Sequence, residues 1–125
     1  MSQRQTLLCG AILGLLGVAL GAFGAHALKD ILIQYGRLET YELAVRYQFY
    51  HALALLVIGL LMEKFESTMF RWAALLIFVG VVFFSGSLYL FAFTNITTFA
   101  MITPLGGIMM LLGWGSLTYS MIKKK

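Results

Sequence analysis

The stretch CGAILGLLGVALGAFGAHAL, Cys9 to Leu28, sets five glycines among residues that are almost all apolar. In water each glycine inside a helix is less favourable than alanine by about 0.8–1.0 kcal/mol, so a soluble helix would hardly carry five. Their spacing explains them. Gly10, Gly14, Gly17, Gly21 and Gly24 follow one another at intervals of 4, 3, 4 and 3 residues, the 3.5-residue repeat that keeps side chains on one seam of a helix. Lipid gives apolar helices no hydrophobic reason to associate, and close backbone approach at small residues does that work instead. The stretch therefore reads as a membrane helix whose glycine stripe receives a neighbour, crossing at about +20°. That neighbour is expected within the same chain, with a homo-oligomer seam as the alternative.

The rest of the sequence agrees with a membrane setting. Of 125 residues, 61% are hydrophobic and 11% charged, and the mean hydropathy is +0.90; soluble domains sit nearer 45–50% and about 25%. Charges clump at Lys29–Arg46, Glu63–Arg71 and Lys123–Lys125. Between the clumps lie apolar runs of about 20 residues, enough to cross a bilayer at 1.5 Å per residue. Four spans are expected, at about 7–28, 43–62, 71–94 and 99–122, forming one transmembrane domain over residues 1–125. The runs show no period-2 alternation, so they are helices rather than barrel strands. The expected fold is all-α: a polytopic, antiparallel four-helix transmembrane bundle with the glycine face of the first helix at its centre. The first run exceeds the usual 7–15 residue core of a signal peptide, so cleavage after the Ala25-His26-Ala27 pattern is not expected. Cys9 is the single cysteine; it forms no intrachain disulfide and reads as a small buried hydrophobe.

Four spans put both termini on one side, with Arg4, Lys64, Arg71, Lys123, Lys124 and Lys125. The other side holds Lys29, Arg37 and Arg46. Six basic residues against three predict a cytoplasmic location for both termini. The lysine tail reads as a topology anchor that can also touch anionic headgroups; no nucleic-acid partner is expected. In the first loop, Thr40 is expected to cap a helix running into the second span, with Glu42 and Arg46 one turn apart. Tyr41, Tyr47, Phe49 and Tyr50 would form an aromatic belt at headgroup depth, matched at the opposite face by Phe65, Phe70 and Trp72. Residues 95–98 are expected to make a tight turn, and Pro104 to fall in the first turns of the last helix, where a missing N–H matters least. Gly80, Gly86, Gly106 and Gly113 offer further close helix contacts.

Polar side chains are distributed unevenly with depth. Counting from the cytoplasmic boundary, His51 lies about 17 Å and His26 about 28 Å up their helices, with Ser85, Ser87 and Tyr89 at about 20–26 Å and Thr103 at about 27 Å. Gln48 lies higher, whereas the cytoplasmic half is nearly all apolar. Intramembrane ionisable residues are rare and default to functional hypotheses. A packing role, a proton site and a metal ligand remain open for His51; a helix-end position reaching water is the simplest reading of His26. Two histidines without a deep carboxylate make a poor metal site, so no metal or cofactor is expected. No HExxH, GxSxG or P-loop is present, and serines in membrane helices usually hydrogen-bond to carbonyls of their own helix or a neighbour; an enzyme is not expected. The first span also lacks the buried carboxylate on which four-helix proton-coupled drug exporters rely.

The segments GAFGAHALK (Gly21–Lys29), YQFYHALALL (Tyr47–Leu56), FSGSLYL (Phe84–Leu90) and TPLGG (Thr103–Gly107) resemble a family of small bacterial membrane proteins, domain of unknown function family 423, also called uncharacterised protein family 0382. Eukaryotic transmembrane protein 256 is similar. The resemblance covers nearly the whole chain and implies a four-span protein of the bacterial plasma membrane, without naming a substrate. Two functions fit. In the first, Gln48 and His51, with His26, Ser85, Ser87, Tyr89 and Thr103 as further wall and Arg46 and Lys29 at the rim, form an outer-third pocket for a small molecule, ion or lipid group. In the second, those groups are interhelical glue, and the glycine-rich helix docks on another membrane protein or a second copy. Transport ranks below both, because the cytoplasmic half looks sealed.

Overall fold

A computed structural model describes residues 1–65 and 67–123. The helices are α1 (Gln3–Ala25), α2 (Lys29–Tyr35), α3 (Leu38–Lys64), α4 (Thr68–Thr94), α5 (Thr97–Ala100) and α6 (Thr103–Lys123). Four stretches are long and apolar enough to cross a membrane: α1, α3, α4 and the combined span Thr97–Lys123. Their boundaries follow local chemistry. Ser2 and Gln5 form a reciprocal capping box, which starts α1 four residues before the apolar run. Ser67 caps α4 through the Met69 N–H, and Asn95, in the left-handed region at φ 56°, ends it.

Three expectations about the loops need correction. Thr40 does not cap α3. Gly36, at φ 68°, turns the chain out of α2, and α3 restarts at Leu38 with Thr40 already inside its first turn. Tyr41 and Phe70 are not belt residues. Both are fully buried, Tyr41 beneath the end of α1 and Phe70 in the core, stacked near Phe65; Tyr50 and Trp72 do stand exposed. The turn expected at 95–98 is shorter, because Thr97 already opens α5. Pro104 is the second residue of α6. Lys124 and Lys125 lie outside the described residues.

The helices pack antiparallel in the order α1, α3, α4, α6, and α1 and α6 do not touch among the described residues. The centre therefore belongs to α3 and α4, where 39% and 44% of the most apolar stretch is buried, against 22% in α1 and 17% in the last span. The glycine face of α1 lies at an edge interface instead of at the bundle centre. Gly10 rests on Ala52 and Leu56 of α3, Gly17 on the Phe49 ring and Gly24 on Tyr41, so the stripe packs within the chain. Gly14 meets nothing within 4 Å, and Gly21 makes only an ordinary contact with Val45. Between α4 and α6 it is the two backbones that approach closely. A Cβ on Gly80 would lie 2.8 Å from the Met110 nitrogen and 2.9 Å from the Gly106 oxygen, and one on Gly113 would lie 3.1 Å from the Ala73 oxygen. Toward the termini the core is apolar, with Leu55, Ile58, Phe70, Ala74 and Ile77 packed together.

Candidate functional site

The polar side chains singled out by depth form a chain of hydrogen bonds that ties the four helices in order. Gln48 on α3, 3% exposed, donates from Nε2 to the Leu13 carbonyl of α1 at 2.8 Å and accepts at Oε1 from the Tyr89 hydroxyl of α4 at 2.6 Å. Ser85 of α4 donates to the Ala44 carbonyl of α3 at 2.8 Å. Ser87 donates to the Phe84 carbonyl at 2.9 Å and lies 2.6 Å from the Thr103 hydroxyl of α6. Tyr41, in edge contact with Tyr89, donates to the Leu20 carbonyl of α1. Among the described residues no buried side-chain nitrogen or oxygen lacks a partner, as a low-dielectric interior requires.

His51 makes a separate tie between helices. Its Nδ1 lies 2.7 Å from the Tyr47 carbonyl, which can only accept, so Nδ1 carries the proton. Its Nε2 accepts from the Trp114 indole N–H of α6 at 3.0 Å. Both ring nitrogens of a neutral imidazole are thereby occupied, and neither is left for a metal. No group of three metal-ligating side chains exists among the described residues. Trp114, absent from the sequence-derived set, supplies the tie between α6 and α3; an indole N–H deep in an apolar span must find an acceptor, and that was the signal available. His26 stands apart. It is exposed at the C-terminal cap of α1, whereas α1 meets the level of His51 near Gly10, sixteen residues or about 24 Å away along the helix.

Open space lies both away from these hydrogen bonds and alongside His51 and Trp114. A cleft of about 400 Å³ sits where the end of α1, the start of α2 and the first turns of α3 meet, lined by Gly21, Gly24, Lys29, Tyr41, Glu42 and Arg46, among others. Its volume falls in the range of small-ligand sites. The glycines on one side and Val45 on the other leave an apolar floor, and the three charged side chains are exposed around it. A second, mostly apolar groove of about 470 Å³ runs between α3, α4 and α6, past Tyr47, His51, Phe84, Pro104 and Trp114. The structure thus separates Arg46 and Lys29, which share a cleft, from Gln48, Ser85, Ser87, Tyr89 and Thr103, which hold helices together.

The family described as "Protein of unknown function (DUF423)" matches residues 20–107. This chain belongs to that family. It is similar to a UPF0382 membrane protein of Staphylococcus epidermidis, 43% identical over 121 residues that cover 97% of this chain and 98% of that protein. It is also similar to the UPF0382 inner membrane protein YgdD of Escherichia coli K12, 37% identical over 127 residues, covering all of this chain and 95% of that one. No solved structure matches. With four candidate spans and relatives named as membrane proteins, the chain is an integral membrane protein. The matched DUF423 region holds the whole cleft and the network from Tyr41 to Thr103, and it stops short of Trp114.

The network gives a prediction of modest size. Gln48→Leu strands the Tyr89 hydroxyl and removes the extra bond on the Leu13 carbonyl, which keeps its helical one, and Tyr89→Phe removes one of the same bonds. Interhelical bonds in membranes average about 0.6 kcal/mol, so thermal unfolding in detergent should show Gln48→Leu, which loses two, destabilised by about 1 kcal/mol and Tyr89→Phe, which loses one, by about half as much. The double variant should fall short of additivity. Full additivity would mean that the two side chains do not share a bond.

Proposed function

We propose that this protein is a non-catalytic binding protein of the bacterial plasma membrane, with both termini in the cytoplasm, whose cleft at the outer end holds the phosphate-bearing headgroup of a membrane amphiphile. The observation that carries this reading is the convergence of Lys29 and Arg46, from two different helices, on one apolar-floored cleft. The depth suits it. From Lys64 upward, a hydrocarbon core of about 30 Å accounts for about 20 residues of α3, which brings Glu42 to the headgroup boundary. Arg46 sits one turn lower, with its long stem free to reach up. The packed apolar core toward the termini supports binding rather than passage. The other reading, an interaction subunit docking through the glycine face of α1, has less to draw on, because Gly10, Gly17 and Gly24 are already taken up by α3.

The test uses the full chain purified in detergent, titrated with dihexanoyl phosphatidylglycerol and dihexanoyl phosphatidylethanolamine below their micellar concentrations. The double variant Lys29→Gln/Arg46→Gln should bind at least one of them more than about tenfold more weakly, the loss expected for charge-assisted contacts. Wild-type binding should also weaken as salt screens the exposed cations. Both side chains are exposed, so the thermal transition should not move. Equal binding by wild type and the double variant overturns the reading.

A further inference from the structure

The cleft carries a third charge that an anion site does not call for. Glu42 lines the same wall as Arg46, one helical turn away on α3, with Lys29 on α2 as the other cation. All three are exposed, and the side chain of none of them makes a hydrogen bond or ion pair with another described residue. We infer, building on the headgroup reading above, that the cleft is selective for a phosphodiester carrying a primary ammonium, the chemistry of a phosphatidylethanolamine headgroup.

The charges set the pattern. Lys29 and Arg46 receive the phosphodiester, Arg46 through the fork of donors that suits phosphate oxygens. Four residues of α3 separate Arg46 from Glu42, a rise of about 6 Å, and the ammonium of such a headgroup sits two carbons beyond its phosphate. Glu42 then accepts charge-assisted N–H bonds from the ammonium. A glycerol headgroup offers the same phosphate but leaves the Glu42 carboxylate facing a ligand of like sign. A choline headgroup keeps the positive charge but has no N–H to donate. Glu42 thus acts as a discriminator, disfavouring the wrong headgroups as well as favouring the right one.

The full chain in detergent is titrated with dihexanoyl phosphatidylethanolamine, phosphatidylglycerol and phosphatidylcholine, and with water-soluble glycerophosphoethanolamine. Wild type should prefer the ethanolamine lipid to the other two by about tenfold. Glu42→Gln should erase that preference while holding or raising phosphatidylglycerol affinity, with an unchanged thermal transition. Weak binding of glycerophosphoethanolamine assigns a lipid as the source, and equal binding assigns the soluble diester, with the same dependence on Glu42 in either case. Equal wild-type affinity for the ethanolamine and glycerol lipids, or a preference that survives Glu42→Gln, overturns the selectivity and leaves the headgroup site standing. If none of the lipids binds wild type, the headgroup site itself falls.

Discussion

Gly106→Leu is expected to be the most damaging single substitution in the chain, abolishing recovery of a monodisperse folded protein from detergent. A Cβ at this position would lie 2.7 Å from the Gly80 carbonyl oxygen and 2.8 Å from the Phe84 Cα. The obstacle is backbone on both counts, so no side-chain rotation relieves it, and α6 must move away from α4. Even Gly106→Ala should lose about 1–3 kcal/mol, the usual penalty of overpacking. Displacing α6 also carries off the Ser87–Thr103 contact and the Trp114 tie to His51, which widens the loss for leucine. Gly14→Leu is the matched control. Nothing lies within 4 Å of a Cβ there, and leucine is the better helix former, so its thermal transition should hold or rise. Equal behaviour of the two variants would refute the close α4–α6 packing.

That contrast shows how far the glycine pattern could be read. The 3.5-residue spacing correctly put Gly10, Gly17 and Gly24 at a helix interface, because spacing fixes which face of a helix a residue occupies. It could not say which neighbour fills the groove or where the helix stands in the bundle. Five glycines drew attention to α1, yet Gly80, Gly106 and Gly113, fewer and more widely spaced, bring the backbones of two helices closest together. The reason is that a contact depends on both partners. Tyr41 illustrates the same limit. Between Thr40 and Glu42 it reads as an interfacial aromatic, but it follows the inward stripe Tyr41, Ala44, Gln48, His51 and Leu55 that buries α3 against its neighbours.

Of the polar groups picked out by depth, the structure joins Gln48 to Tyr89 and Ser87 to Thr103 and leaves His26 apart. A bilayer interior demands a partner for every polar atom, so residues at one level tend to find one another, as Gln48 and Tyr89 do. The same demand means that such a cluster can be wholly consumed by its own hydrogen bonds, and this one is. His26 shares an outer level with none of them because α1 ends there and leaves its last residues facing outward. Lys29 and Arg46 are legible as rim charges and Glu42 as a helix partner of Arg46, but their meeting in one cleft depends on α2, a short helix that folds the loop back over α3. Nothing in the periodicity of the spans announces it.

His51→Ala should separate the two halves of this description. Removing the imidazole deletes a buried ring packed edge-on to Trp114 and leaves the Trp114 N–H without its acceptor in an apolar groove. A donor left unpaired at membrane depth accounts for about 1–3 kcal/mol and the cavity left by His51 adds to it, so a total near 3 kcal/mol is expected in thermal or denaturant unfolding. Trp114→Phe removes the donor together with the bond and should cost less, since no polar atom of the indole is stranded. His51→Ala in that background should then cost clearly less than it does alone, because the two residues share the interaction. Headgroup binding at Lys29 and Arg46 should be unchanged for whatever fraction of His51→Ala is folded, because five residues of α3, about 7 Å of rise, separate His51 from Arg46 and the residue lines no part of that cleft. Loss of binding with stability intact would reverse the assignment and make His51 a ligand-contacting residue.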